Sequence, residues 1–482
     1  MNNKLRKIIA FVVMSVVFTA SFSVSIAAEG YTYNSYGKIV SVPDVYETTG
    51  KYIGTDFDCG SFNNPSDFCI DDEGNIYIAD TGNNRIVIIN SNFEETKVIS
   101  DFKYEGEMLT LYNPKGVFVS GKEIYISDTD NERILRCNLQ GEVSLCIKKP
   151  EISQFSETLF LPTSVLADEY GNIYARCTGI YQGLVMFDKD GKYQCFFGSE
   201  TVQATPAVRL QRWWKNLMNE EQKSQVSRYI PTEIKGIDID SSGYIYTVSS
   251  SESTNGTKNN MDSIRRLNTL GKNILINKMN QNAWKAFEND ARSMNFCDIA
   301  VDKNNFIVLI DNRQGIIAIF DSEMQLLDIL GGFGDEVGKY LSPCAVELYN
   351  DAMYVLDSAA CSITVYLKTA YGSELSSALN LYKAGNYEQT VNAWKNIIKK
   401  NSNCEFAYDG LGNAYLSLKD YYSAIDCFEK ARNSEGYNEA FKYIRRDYVK
   451  KYFPPVVCCA VVLALVCIII GKRRKGKGNV KV

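Results

Sequence analysis

The 482-residue chain contains no histidine. That absence removes the commonest general base, the usual zinc ligand and every Ser-His-Asp or Cys-His nucleophile system. A Cys-x-x-Cys pair is also missing, although there are 14 cysteines. Cys458, Cys459 and Cys467 sit in one long apolar run, which leaves an odd eleven elsewhere. Several of these, such as Cys69, Cys137 and Cys361, fall in or beside apolar strand cores, where a small side chain serves. They read mostly as buried thiols, with one or two disulfides left open.

Acidic residues are missing from both ends. Of 52 lysines and arginines, three fall in residues 1–28 and six in 472–482, whereas all 57 aspartates and glutamates lie between. Residues 1–28 have a basic start (Lys4, Arg6, Lys7), an apolar run from Ile8 to about Phe22, and small residues Ser25, Ala27 and Ala28 before Glu29, the pattern of a secretory signal peptide. Residues 453–471 hold an uncharged run from Phe453 to Ile470. At 1.5 Å per residue it reaches roughly 27 Å, close to the ~30 Å hydrocarbon core. The basic tail 472–482 places that end in the cytoplasm. The expected localisation is a cell membrane, single-pass, with the bulk of the chain extracytoplasmic after cleavage. That bulk carries 43 basic against 57 acidic residues, a net −14, a poor match for nucleic acid.

What the chain does hold is a repeat. In NNPSDFCIDDEGNIYIADTGNNRIVIIN, Asn63 to Asn90, Pro65 opens an apolar run ending at Ile70, Asp71 to Gly74 is an acidic turn, Ile76 to Ala79 is a second strand, and Thr81 to Asn84 turns into a third, Arg85 to Ile89. Asp80 and Arg85 flank that turn, so the carboxylate can accept turn amides while meeting the guanidinium. The aligned second strands centre on Tyr77, Tyr125, Tyr174, Tyr246, Val308 and Tyr354, a period near 47 interrupted twice. One such sheet cannot bury both faces alone, and the period is that of a propeller. Asp128 and Arg133 repeat the turn pair in the second copy. The third has Cys177 in place of the aspartate, with Arg176 beside it, and the fourth has Ser249. Asp311 and Asp357 restore the aspartate in the fifth and sixth. The sixth copy ends after three strands, and Gly50 to Gly54 resembles a fourth strand, so the N-terminal segment is expected to close the ring.

These copies resemble the NHL repeat, with Gly74, Ile76-Tyr77-Ile78, Asp80-Thr81, Asn83 and Arg85 in the first and Asp128-Thr129, Asn131 and Arg133 in the second. The resemblance implies a six-bladed β-propeller over residues 36–369, a fold used mostly as a binding platform. Related six-bladed propellers include metal-dependent lactonases and a zinc-dependent lyase, and the lyase chemistry cannot operate without histidine.

Two further segments stand out. Residues 205–231 read as a helical insertion in which Trp213 and Trp214, with Arg209 and Arg212, either clamp a sugar or acidic peptide or dock the hairpin onto the blades. From Gly372 the pattern turns helical. Ala384-Gly385-Asn386-Tyr387 and Leu418-Lys419-Asp420-Tyr421 lie 34 apart, as do Trp394 and Phe428, which resembles two tetratricopeptide repeats over 372–436. Residues 437–452 read as a capping or juxtamembrane helix. Two repeats are marginal alone and are expected to lean on the propeller or on a partner.

The fold class expected is therefore multidomain: an all-β six-bladed propeller, a small all-α helical-repeat domain and one transmembrane helix. The expected function is a membrane-anchored extracytoplasmic binding or scaffold protein, without a cofactor and not an enzyme, whose partner is a protein, or else a saccharide. The alternative is a metal-dependent propeller hydrolase of lactonase type. Ligand-contacting residues are expected where the copies depart from one another, at Arg176, Arg209, Arg212, Trp213 and Trp214. Asp80, Arg85, Asp128, Arg133, Asp311 and Asp357 are expected to hold turns.

Overall fold

The computed structural model describes residues 30–94, 96–155, 158–198, 233–249, 263–290, 295–304 and 306–478. Six antiparallel sheets follow one another around a ring. Their first strands are Asp67–Ile70, Pro114–Ser120, Pro162–Ala167, Ile234–Ile239, Phe296–Val301 and Pro343–Tyr349. Each contacts the first strand of the next sheet, and the sixth contacts the first. Within the first five blades the strands follow in chain order outward from this inner ring.

The ring is closed by the chain's N-terminal part. Strand Tyr46–Ile53 pairs antiparallel with Ser362–Lys368, so that Ile53 lies opposite Ser362 and Tyr46 opposite Lys368. This strand starts earlier than the expected Gly50 because Val45 and Tyr46 are buried in the core behind it. The fold also begins ahead of residue 36. A hairpin of Tyr31–Tyr33 and Ile39–Ser41 adds to the outer edge of the fifth blade, with Tyr31 opposite Ile329. It covers backbone groups that an edge strand would otherwise leave open.

The tyrosine of the second strand has a structural cause. Its ring is buried while its hydroxyl reaches the acid of the preceding hairpin, Tyr77 to Asp71 at 3.0 Å and Tyr174 to Asp168 and Tyr246 to Asp240 at 3.2 Å. The acidic turns at 71–74 and 188–191 are closed by their own backbone. Asp71 Oδ1 accepts from the amides of Glu73 and Asn75, and Asp188 Oδ1 from those of Asp190 and Lys192.

After the last blade come two helix pairs, Ala370–Lys383 with Tyr387–Lys400 and Glu405–Ser417 with Tyr421–Ala431. Trp394 is buried between the pairs, and Gly410 is required there because a Cβ would run into its ring. These helices do not stand apart from the ring. Tyr371, Leu375, Ala378, Val391 and Trp394 share one apolar core with Val45, Tyr46, Phe306, Val346 and Tyr366 of the propeller. Ser35 of the N-terminal hairpin donates its amide to Glu405 Oε2 at 2.8 Å. A single helix, Ser434–Gly478, then runs through both the capping segment and the apolar run. Ala440 and Ile444 pack on the repeats, and from Arg445 to Lys472 every side chain is exposed. This is the one helix among the described residues long and apolar enough to cross a membrane.

Candidate functional site

The turn residues are assembled by a recurring geometry. Asp80 is fully buried and accepts from the amide of Asn63 at 2.7 Å, from Asn83 Nδ2 at 2.8 Å and from Arg85 Nε at 2.7 Å. Asp128 does the same with Tyr112, Asn131 and Arg133 at 2.7, 2.9 and 2.7 Å. Asp311 and Asp357 keep the linker bond, from the amides of Asn295 at 3.1 Å and Leu341 at 2.7 Å, and bind amides of their own turns. The fifth residue of each turn is left-handed: Asn84, Glu132, Gly315 and Cys361 have φ of 54°, 52°, 68° and 50°. The same turn therefore survives in blades whose sequences match the repeat loosely. These carboxylates have all their oxygens committed to structure, which removes them from chemistry.

The inner ring holds the other charged cluster. Asp67 of the first blade, two residues after Pro65, and Asp298 of the fifth hold matching register positions on the inner strands, opposite Ala79 and Ile310. Two residues further, roughly 6.6 Å along the strand, come Asp238 of the fourth and Glu347 of the sixth. Gly236 permits this closeness, since a Cβ there would collide with the backbone of Asp298. Three of the acids also tie successive blades together. Asp67 Oδ2 accepts from the Val117 amide at 3.2 Å, Asp238 Oδ2 from Val301 at 2.7 Å and Asp298 Oδ2 from Val346 at 2.9 Å. Glu347 makes no hydrogen bond among the described residues.

Arg176 enters this ring from the second strand of the third blade, where it pairs with Ser164. The same position holds Ala79, Ser127, Val248, Ile310 and Leu356 in the other blades. Its guanidinium feels Asp67, Asp298 and, at the channel end, Glu233. Its Nε is buried without a hydrogen-bond partner. Burial pushes the carboxyls of Asp67 and Asp238 up to about 7; the Arg176 charge opposes the shift at Asp67, and Asp240 reinforces it at Asp238. Burial and mutual repulsion push Asp298 and Glu347 up as well. The channel is thus a half-buried acidic site with one cation, Arg176, at the level of Asp67 and Asp298 rather than of Asp238 and Glu347. Of the residues singled out in the sequence, Arg176 lies in this cluster. Arg209, Arg212, Trp213 and Trp214 lie outside the described residues. The four channel acids were missed. Their one signal is an acid placed in an inner strand at positions where other copies have small or apolar residues.

Residues 62–89 match the family profile of the NHL repeat. The first blade is an NHL repeat. The second, fifth and sixth blades repeat its turn geometry. Over 131 residues the chain is 24% identical to a TPR repeat-containing protein of Methanocaldococcus jannaschii, an alignment covering 27% of this chain and 22% of that protein. The chain thus spans about a fifth of the length of that relative. Among solved structures, it is similar to virginiamycin B lyase from Staphylococcus aureus, with 10% identity, 67% of this chain and 100% of that chain covered and a TM-score of 0.41. It is also similar to BamB from Moraxella catarrhalis, with 10% identity, 70% and 95% covered and a TM-score of 0.35.

Proposed function

We propose that this is a membrane-anchored extracytoplasmic binding protein whose propeller and helical repeats form one platform for a protein partner in an envelope or transport assembly. The observation that carries this reading is the core shared by the repeats and the last two blades. Two repeats that stood free would be marginal, whereas two repeats cemented to a ring present a fixed surface. Between their helices lies an open cleft of about 480 Å³, lined by Lys395, Tyr408, Tyr415, Tyr422 and Lys430. Tyrosines supply contact area at low entropic cost and the lysines favour an acidic segment. The exposed apolar helix anchors the platform, and the signal-like segment 1–28 with the basic tail gives its orientation. A photocrosslinker at Tyr422 in native membranes is expected to give one discrete protein adduct, lost on Lys395→Glu together with Lys430→Glu. Absence of any adduct from Tyr422 and from Tyr408 overturns the reading. Protease treatment of intact cells should digest the propeller and spare the tail.

The four channel acids favour a second reading, hydrolysis by a channel-bound divalent ion. The residues do not fit it well. Among the described residues no three His, Cys, Asp or Glu side chains are placed to hold one ion, and three of the four acids have an oxygen engaged by backbone amides. Calcium-dependent lactone hydrolysis by the purified protein, abolished by Asp298→Asn, would establish it over the first.

A further inference from the structure

We propose that the cleft between the propeller and the helical repeats is a binding site for a neutral, hydroxyl-rich ligand of one or two sugar rings. This site is separate from the channel and from the tyrosine-lined cleft, and the proposal stands whether or not a protein partner docks there.

The cleft encloses about 450 Å³, within the range of small-molecule sites, roughly 300–1,000 Å³. On the propeller side it is walled by the N-terminal hairpin and residues 277–283, and on the repeat side by residues 401–406 and 431–435. Side-chain amides dominate its polar lining, and their orientation is settled by the backbone. Asn277 Oδ1 accepts from the Met279 amide at 3.0 Å, Asn280 Oδ1 from Asn282 at 2.9 Å and Asn401 Oδ1 from Asn403 at 3.1 Å. Each oxygen is thus taken by a local turn, which leaves the NH₂ as the group available to a ligand. The three Nδ2 groups have no partner among the described residues.

Asp409 and Glu405 share the lining, but their oxygens are engaged: Asp409 receives Asn433 Nδ2 at 2.6 Å and Asn413 Nδ2 at 3.2 Å, and Glu405 holds the amide and hydroxyl of Ser35. A ligand here must therefore accept from the side-chain amides, which a neutral hydroxyl or ring oxygen does. The cations beside the cleft are already paired, Lys278 with Glu323 at 2.7 Å and Arg432 with Glu405 at 3.4 Å. Little is therefore left to attract an anion. Met279, Leu326 and Phe406 supply an apolar wall, as the C–H faces of a sugar ring require. A simple phosphate would leave that wall unused, and a hydrocarbon would strand the amides.

The test uses the full-length protein in detergent micelles with three neutral disaccharides, cellobiose, maltose and N,N′-diacetylchitobiose, read by saturation-transfer NMR. Transfer to at least one is expected. Asn277→Asp and Asn401→Asp keep the oxygen that closes each turn and delete the NH₂. Each should weaken binding about fivefold, the loss expected for one neutral hydrogen bond, with the melting temperature unchanged. A diazirine derivative of the bound disaccharide should label residues 277–283 or 401–406, a readout that does not depend on either variant folding. Failure of all three sugars to bind, equal binding by both variants, or labelling elsewhere overturns the proposal.

Discussion

Cys344 of the sixth blade donates its thiol to the main-chain carbonyl of Pro65 in the first blade, 3.5 Å away, across the seam where the ring meets itself. The same bond recurs with different donors. Thr81 reaches Pro114 and Thr129 reaches Pro162, both at 2.7 Å, and Cys297 reaches Pro343 at 3.3 Å. Where the turn lacks its threonine, a cysteine on the inner strand supplies the donor to the next blade's opening proline. Cys344→Ser keeps a donor and should unfold at nearly the parent denaturant concentration. Cys344→Ala should lose about 1 kcal/mol and Thr81→Val about 1–2 kcal/mol, each stranding a buried carbonyl. Urea titration by circular dichroism measures both.

Asp80 receives three hydrogen bonds with no surface exposed, and Arg85 is its counter-charge. Asp80→Ala leaves a mostly buried guanidinium unpaired and should cost about 3–5 kcal/mol. Thermal melts of the variant and the parent measure the loss.

Mild acid should stabilise the propeller. Asp67 and Asp238 titrate near 7 when folded and near 3.8 otherwise, so the folded state holds more protons throughout that window. Stability then falls as pH rises through it and is greatest below it. The melting temperature should be higher at pH 5 than at pH 7.5 by a few degrees. Asp67→Asn and Asp238→Asn, which keep an oxygen for the Val117 and Val301 amides, should flatten the profile. A rising profile over the same range would contradict the channel electrostatics.

Arg176 is the cation that opposes the upward shift at Asp67. Arg176→Met fills similar space without charge. It should lower the melting temperature more at pH 8, where the acids are ionised, than at pH 5.5, where they are largely neutral. Equal losses at both values would mean that Arg176 serves by packing alone.

From Phe453 to Lys472 every side chain of the last helix is exposed. A chain ending at residue 452 should therefore keep the melting profile of the full-length protein and move from the membrane pellet to the soluble fraction, as carbonate extraction and sedimentation will show.

The ring was legible in the sequence because its signal is redundant. Strand period, glycine-ended turns and the Asp80–Arg85 spacing all repeat, and the 34-residue interval marked the helices in the same way. The channel acids were hidden because a polar residue in a strand reads as solvent-facing. Asp67 and Glu347 are in that sense correctly polar, but closure of the ring turns their solvent side into an enclosed channel. The amides of the second cleft were hidden differently. Asn277 and Asn401 look like turn formers, and they are; only the approach of Ser35 to Glu405, 370 residues apart, makes a wall of their unused NH₂ groups.

The strand that closes the sixth blade precedes all six inner strands in the sequence, and its partner, Ser362–Lys368, follows some three hundred residues later. During synthesis the early strand must wait unpaired while five blades accumulate, a loop-closure cost that local contacts cannot repay in advance. Completion of the ring is thus the most non-local strand pairing in the described fold. It also gates the repeats, whose first helix packs on Val45 and Tyr46 of that same strand. An interrupted chain that stops before Ser362 is left with an open strand edge and without the helices that cover Val45 and Tyr46.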